Sequence, residues 1–299
     1  MRSTLTTLAV AIAAVGTLAL AGCSAPAASV DSDQVSIVTS TNVYGSIASS
    51  IGGDLVDVTS IIDDPSQDPH SFEGDARTQL ALSKADILIE NGGGYDDWAD
   101  TLLAGVENDD VTVLNASDLS GYDQADGFNE HVWYDFPTID KLVTALVAEL
   151  SSLAPDDAST FESNAETFTA SLDTLAQREV DLASTVNGAG VAITEPVPLY
   201  LLEASGFTNV TPPEFSEAIE EGTDVSPAVL ADTVAIFADG TAALLVYNAQ
   251  TTGPETEQVL AAAKEHDVPV VPVTETMPTD TDYLAWMGSN LDAIEAAIS

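Results

Sequence analysis

Basic side chains are almost missing from this chain: 6 Lys and Arg stand against 49 Asp and Glu, a formal net charge of −43. A surface of that sign repels phosphate backbones and anionic headgroups, which excludes nucleic-acid binding and direct adhesion to anionic lipid. Cysteine occurs once, at Cys23, so no intrachain disulfide can form. Histidine is nearly as scarce, with 3 in 299 residues, and each position therefore carries information. No His-Glu-x-x-His helix and no Gly-x-Ser-x-Gly elbow occurs, which argues against a secreted metallohydrolase. The mostly apolar run from Leu5 to Leu20 is too short and too rich in small residues for a stable membrane span.

That run has another use. Met1-Arg2-Ser3-Thr4 places one positive charge ahead of it, the layout of a secretory leader. It ends in Leu20-Ala21-Gly22-Cys23, which resembles the lipobox of bacterial lipoproteins, where the cysteine is acylated and becomes the mature N-terminus. Residues 1–22 are therefore expected to be a lipoprotein signal peptide, Cys23 the lipidation site, and residues 23–33 a flexible tether. The protein is expected to be exported and held at the outer face of the cytoplasmic membrane. With 45% hydrophobic residues the remaining chain can bury a core or two despite its charge. The charge itself fits the solvated surface of a salt-adapted protein and supports a cation ligand only weakly.

Strands and helices alternate from Val35 onward. Strands are expected at Val35 to Thr39, Leu55 to Ile62, Ile87 to Ile89 and Val111 to Leu114, with helices between them, which implies a mostly parallel sheet covered on both faces. A polar loop from Ser117 to Glu130 leads to His131 and then to a helix striped by Ile139, Leu142, Val143, Leu146 and Leu150. Next, Phe161, Ala165, Phe168, Leu172 and Leu175 recur at spacings of four and three, and Leu182 and Val186 resume the stripe. A helix from Asp156 to Val186 would be about 46 Å long, a rigid strut ended by Asn187-Gly188. Alternation resumes beyond it, with strands at Val191 to Thr194, Ala242 to Val246 and Val268 to Thr274. The expected organisation is a first α/β lobe over 34–154, a connecting helix over 155–187 and a second α/β lobe over 188–299.

Four positions draw attention. Asp68-Pro69-His70 follows a strand, and Pro69 restricts the backbone on both sides, so His70 has little freedom to lose on gripping a ligand. His131 sits just before a helix, and Asp135 either caps that helix or hydrogen-bonds a ligand imidazole. Glu195 and Glu275 each end a strand of the second lobe, where an α/β sheet presents ligands and where a helix dipole also favours an acid. Asn42 and Asn248 are further candidates to support the ligands from behind, and His266 reads as a surface residue. Two imidazoles and two carboxylates, one pair from each lobe, suffice to hold one divalent transition metal in a cleft between the lobes.

Asp68-Pro69-His70-Ser71-Phe72-Glu73, His131-Val132-Trp133-Tyr134-Asp135, Thr194-Glu195-Pro196-Val197 with Tyr200-Leu201-Leu202, and Glu275-Thr276-Met277-Pro278 together resemble the zinc- and manganese-binding lipoproteins of bacterial ABC importers, the TroA-like or ZnuA-like solute-binding proteins. The resemblance spans nearly the whole mature chain. It implies two similar lobes joined by one long rigid helix, with His70, His131, Glu195 and Glu275 holding Zn2+ or Mn2+ between them. It also implies a monomer that delivers its ion to membrane permease subunits driven by a cytoplasmic ATPase, and no enzymatic activity. Two departures stand out. Ser117 to Glu130 lacks the His-rich loop of many zinc-specific members, and Glu195 and Glu275 replace the His and Asp found in others. A two-His, two-carboxylate shell suits manganese, although intrinsic affinity rises towards zinc. A binder of a larger chelate, such as a siderophore, cobalamin or haem, is the alternative on the same architecture, and nothing in the residues addresses adhesion.

Overall fold

Short aliphatic and β-branched runs, each followed by an amphipathic stretch, become strands with crossover helices in the computed structural model, which describes residues 34–64, 66–125 and 127–299. The expected leader, Cys23 and the tether lie outside the described residues. The first lobe comprises β1 (Val35–Thr41), α1 (Asn42–Gly52), β2 (Val56–Ile62), α2 (Ala76–Leu82), β3 (Ile87–Glu90), α3 (Trp98–Ala104), β4 (Thr112–Asn115), α4 (Ala116–Ser120) and α5 (Phe136–Leu153). After the long helix α6 (Ala158–Val186), the second lobe comprises β5 (Gly190–Ile193), α7 (Leu199–Ala204), β6 (Thr208–Asn209), α8 (Pro213–Glu220), α9 (Pro227–Ala238), β7 (Leu244–Asn248), α10 (Pro254–Glu265), β8 (Val270–Val273) and α11 (Tyr283–Ala297).

Each lobe carries a 4-stranded sheet, and the two have equivalent orders, β2-β1-β3-β4 and β6-β5-β7-β8. Every strand pair is parallel. Ile87, Leu88 and Ile89 of β3 and Val191, Ala192 and Ile193 of β5 are fully buried, because helices cover both faces of a parallel sheet. In both sheets the first strand lies between the second and third, so the crossovers diverge at its C-terminal end and leave a crevice there. Gly45 lets α1 lie close on β2: a Cβ at this position would sit 2.0 Å from Ser60 Oγ.

Three local features depart from expectation. Residues 116–120 form α4 inside the expected loop, with Asn115 accepting from the Asp118 backbone N–H at its start and Gly121 (φ 75°) at its end. The strand β6, of only 2 residues, is too short to leave a periodic signal. The acidic run after Pro213, whose composition suits an exposed loop with a short helix, does form a helix, α8, but its last residue, Glu220, turns inward instead of facing solvent.

Helix α6 runs for 29 residues, roughly 43 Å. Phe161, Phe168, Leu172, Leu175, Leu182 and Val186 line its buried face, and Asn187 (φ 49°) closes it. Arg178 ties it to α11 through Asp292 at 2.5 Å and Glu295 at 3.0 Å. The lobes are also stitched directly. Asn42 donates to the Met277 carbonyl at 2.7 Å and accepts from the Met277 N–H at 3.1 Å. Tyr134 Oη donates to the Thr274 carbonyl, and Tyr283 Oη to the Trp133 carbonyl, each at 2.7 Å. One apolar core runs through both lobes beneath these bonds, from Ile37 and Ile89 to Ile193 and Val246. No helix among the described residues is long and apolar enough to cross a membrane.

Candidate metal centre

The loop after β2 is held before any ligand arrives. Asp68 accepts from the His70 backbone N–H at 2.9 Å and from Ser71 Oγ at 2.8 Å, and Pro69 fixes the turn between them. From α3, Trp98 Nε1 donates to the Pro69 carbonyl at 2.9 Å, and its ring packs on Phe72. The His70 side chain, 29% exposed, turns towards the second lobe. Its Nε2 lies 3.0 Å from Glu220 Oε1, at the end of α8.

His131 is fully buried against the rings of Tyr95 and Trp133. Its Nδ1 lies 2.7 Å from Asn129 Oδ1, which fixes a proton on Nδ1 and leaves Nε2 free to coordinate. That Nε2 has no hydrogen-bond partner and lies 3.5 Å from Glu220 Oε1. Glu275, just beyond β8, accepts from Asn248 Nδ2 at 2.8 Å and from Tyr95 Oη at 3.4 Å. Its backbone N–H is held by Gln250 Oε1 at 2.7 Å. Glu195, 3% exposed at the end of β5, leaves Oε2 without a partner.

The four expected ligands thus converge on one cleft, and a fifth residue joins them. Glu220 Oε1 lies between the two imidazoles, where a bound cation would be expected, and its buried Oε2 has no partner. Single atoms of His131, Glu220 and Glu275 lie within 4.8 Å of one another, and so do atoms of His70, Glu130 and Glu220. A cavity of about 450 Å3 is lined by Asp68, Glu130, Glu195, Glu220, Glu221 and Glu275 together with His70, while His131 is fully buried and not part of its lining. Of the supporting candidates, Asn248 holds Glu275. Asp135 instead caps α5, accepting from Thr138 N at 3.0 Å and Thr138 Oγ1 at 2.5 Å, and Asn42 is occupied with Met277. The residue that orients His131 is Asn129, two positions before it, and an Asn at that spacing suits a side-chain-to-backbone turn. His266, just after α10, is exposed and belongs to neither group of candidate ligand atoms among the described residues.

Crowding of like charges shows in the protonation of the site. Burial pulls the His70 imidazole down, but the hydrogen bond and charge of Glu220, aided by Glu275 and Glu130, hold it up at about 9. Burial pushes Glu195 up to about 8; Glu220 and Glu275 add repulsion that Asn248 and Thr251 only partly offset. Glu275 is likewise raised, chiefly by burial, with His131 opposing. Burial pushes Glu220 up as well, yet His131 and His70 outweigh it and leave its carboxyl below the usual range. Glu220 is therefore held as an anion beside a protonated His70.

Asn129→Ala is expected to weaken divalent-metal binding by about 10–100-fold, as loss of an imidazole's orienting partner usually does. A chelator-competition titration checks this, and unchanged affinity would mean that Tyr95 and Trp133 alone hold the ring.

Two α/β lobes on one long helix, meeting at a pocket of imidazoles and carboxylates, define a two-lobed solute-binding fold with its site in the cleft. The chain matches the family described as zinc-uptake complex component A, periplasmic (ZnuA), over residues 37–297, and it belongs to that family. It is 30% identical over 211 residues to the manganese-binding lipoprotein MntA of Halalkalibacterium halodurans, covering 69% of this chain and 70% of that one. The zinc-binding lipoprotein AdcA of Streptococcus pneumoniae is 25% identical over 158 residues, 48% of this chain and 31% of its own length. Among solved structures, ZnuA superposes with a TM-score of 0.69 at 21% identity, over 89% of this chain and 100% of that one. The laminin-binding adhesin (Lmb) of Streptococcus agalactiae gives 0.72 at 19% identity over the same shares, which at such identity is a likeness of fold alone.

Proposed function

We propose that this protein is the extracytoplasmic solute-binding lipoprotein of an ABC importer, capturing Mn2+ or Zn2+ in the cleft and passing it to a membrane permease driven by a cytoplasmic ATPase. The observation that carries this reading is the meeting of His70 Nε2 and His131 Nε2 on one carboxylate oxygen, 3.0 and 3.5 Å away, among buried donor atoms without partners. His131 Nε2, Glu195 Oε2 and Glu220 Oε2 are costly to bury unpaired, and one dication would engage all three. The ligands on this reading are His70, His131, Glu195 and Glu275, with Glu220 added. A set of two imidazoles and three carboxylates is hard and suits Mn2+, while intrinsic affinity favours Zn2+. Catalytic zinc sites typically have three protein ligands and an open position, fewer than are gathered here, and we assign the protein no enzymatic role. A large anionic chelate is disfavoured by the six carboxylates that line the cavity.

Cys23 anchors the chain through lipid on this reading, in keeping with the lipoprotein names of its relatives. The test is metal analysis of the purified full chain in detergent, with competing titrations of Mn2+ and Zn2+. One ion per chain is expected, with Zn2+ displacing Mn2+ at equilibrium. A chain that takes up neither ion in stoichiometric amount overturns the reading.

A further inference from the structure

Two sets of ligand atoms share the cleft, and they differ in depth. The inner set, His131, Glu220 and Glu275, includes a fully buried imidazole and a carboxylate 8% exposed. The outer set, His70, Glu130 and Glu220, has His70 at the solvent edge and two partly buried carboxylates. Glu220 belongs to both, and its Oε2 has no partner although its side chain is only 10% exposed. Glu130 lies directly before His131 in the chain and lines the mouth of the cavity beside His70.

A hydrated dication cannot be transferred intact into the inner set, because taking it out of water uncompensated costs many kcal/mol. It has to exchange waters for protein oxygens and nitrogens in steps. We propose that His70, Glu130 and Glu220 form an outer capture station for the divalent cation, from which the ion moves inward by trading Glu130 for His131 and Glu275 while Glu220 stays bound. This rests on the proposed metal-binding function and extends it with a residue, Glu130, that is not a ligand of the final complex. Glu220 is the pivot: one carboxylate serves both sets, so the ion keeps an anionic ligand throughout the transfer. No covalent bond forms or breaks; Glu130 and one remaining water leave the ion as His131 and Glu275 enter.

A station on the path lowers the barriers on both of its sides. Weakening it slows arrival and departure by the same factor and leaves the equilibrium constant unchanged. Glu130→Asp is the discriminating variant, because it keeps the negative charge but draws the carboxylate back by one methylene. Stopped-flow association of Mn2+ with the full chain, and its release into excess chelator, are expected to slow together by about tenfold, with Kd within about twofold of the original. Glu221→Gln, which removes a charge from the same mouth but from neither set, is expected to change neither rate beyond about twofold. Wild-type rates in Glu130→Asp would overturn the station and leave Glu130 with a general electrostatic role. Faster release with weakened Kd would overturn it too, by making Glu130 a ligand of the final complex. Failure of the unsubstituted chain to hold one ion would instead refute the metal-binding function itself.

Discussion

Glu220→Ala is expected to weaken Mn2+ and Zn2+ binding by about 10²–10³-fold. Structural metal sites bind with about 10–16 kcal/mol in all, so each of four or five protein ligands accounts for roughly 2–4 kcal/mol. Glu220 Oε1 lies 3.0 Å from His70 Nε2 and 3.5 Å from His131 Nε2, and its removal leaves the inner set with two members. His131→Ala is expected to cost at least as much, since its Nε2 is buried without a partner, whereas His70 lies at the solvent edge. The informative contrast is Glu220→Gln with Glu195→Gln, both measured by calorimetry against a competing chelator. Glutamine preserves a hydrogen-bond acceptor for His70 but not the anionic oxygen that a cation prefers. If Glu220→Gln binds normally and Glu195→Gln does not, Glu220 is only the partner of protonated His70, and His70, His131, Glu195 and Glu275 hold the ion without it.

Metal binding at neutral pH should expel about two protons. His70, held at about 9, and Glu195, at about 8, are both protonated in the empty site, and coordination requires their bare lone pairs. Affinity is therefore expected to rise about 100-fold per pH unit from 6 towards 8, then about tenfold per unit up to 9, and then to level off. Titrations in buffers of different ionisation enthalpy give the proton count directly. The stability of the empty protein runs the opposite way. Both groups sit above their ordinary values of 6.5 and 4.5, so their contribution is complete below those values and is lost as pH rises through about 8 and about 9. The empty protein should melt at a lower temperature at pH 9 than at pH 7, while saturating metal should widen the gap between loaded and empty forms. Affinity independent of pH between 6 and 8 would contradict this protonation scheme.

The architecture was legible because its elements advertise themselves. Strands covered on both faces read as unbroken aliphatic runs, as in Ile87 to Ile89, and α6 repeats its apolar stripe from Phe161 to Val186. The four expected ligands converge because each lies at or beyond the C-terminal end of a strand, or just before a helix, where this topology gathers loops. Glu220 was not legible: it is one of several acids from Glu214 to Glu221, and charge alone cannot say which of them turns inward. Its place offered one signal, because an acid in the last turn of a helix opposes the dipole and gains from a cationic partner. Asn129 was hidden by the nearby Asp135, which was the more conspicuous candidate but finds both Thr138 donors within reach. The pairing of Asn42 with Met277 spans 235 positions, a separation at which no local pattern informs.

The bonds between the lobes also limit what a membrane receptor is able to sense. With Asn42 on Met277, Tyr134 on Thr274 and Tyr283 on Trp133, the separation of the two lobes is set by the fold. Outline is then a poor messenger of cargo. Net charge is no better, since a dication that displaces the two protons of His70 and Glu195 leaves the total unchanged. What changes is where the charge sits: two protons on separate side chains become one ion at a point. Such a redistribution is felt only within about 8 Å at physiological salt, so a receptor must come into contact with the cavity mouth before loaded and metal-free forms differ to it.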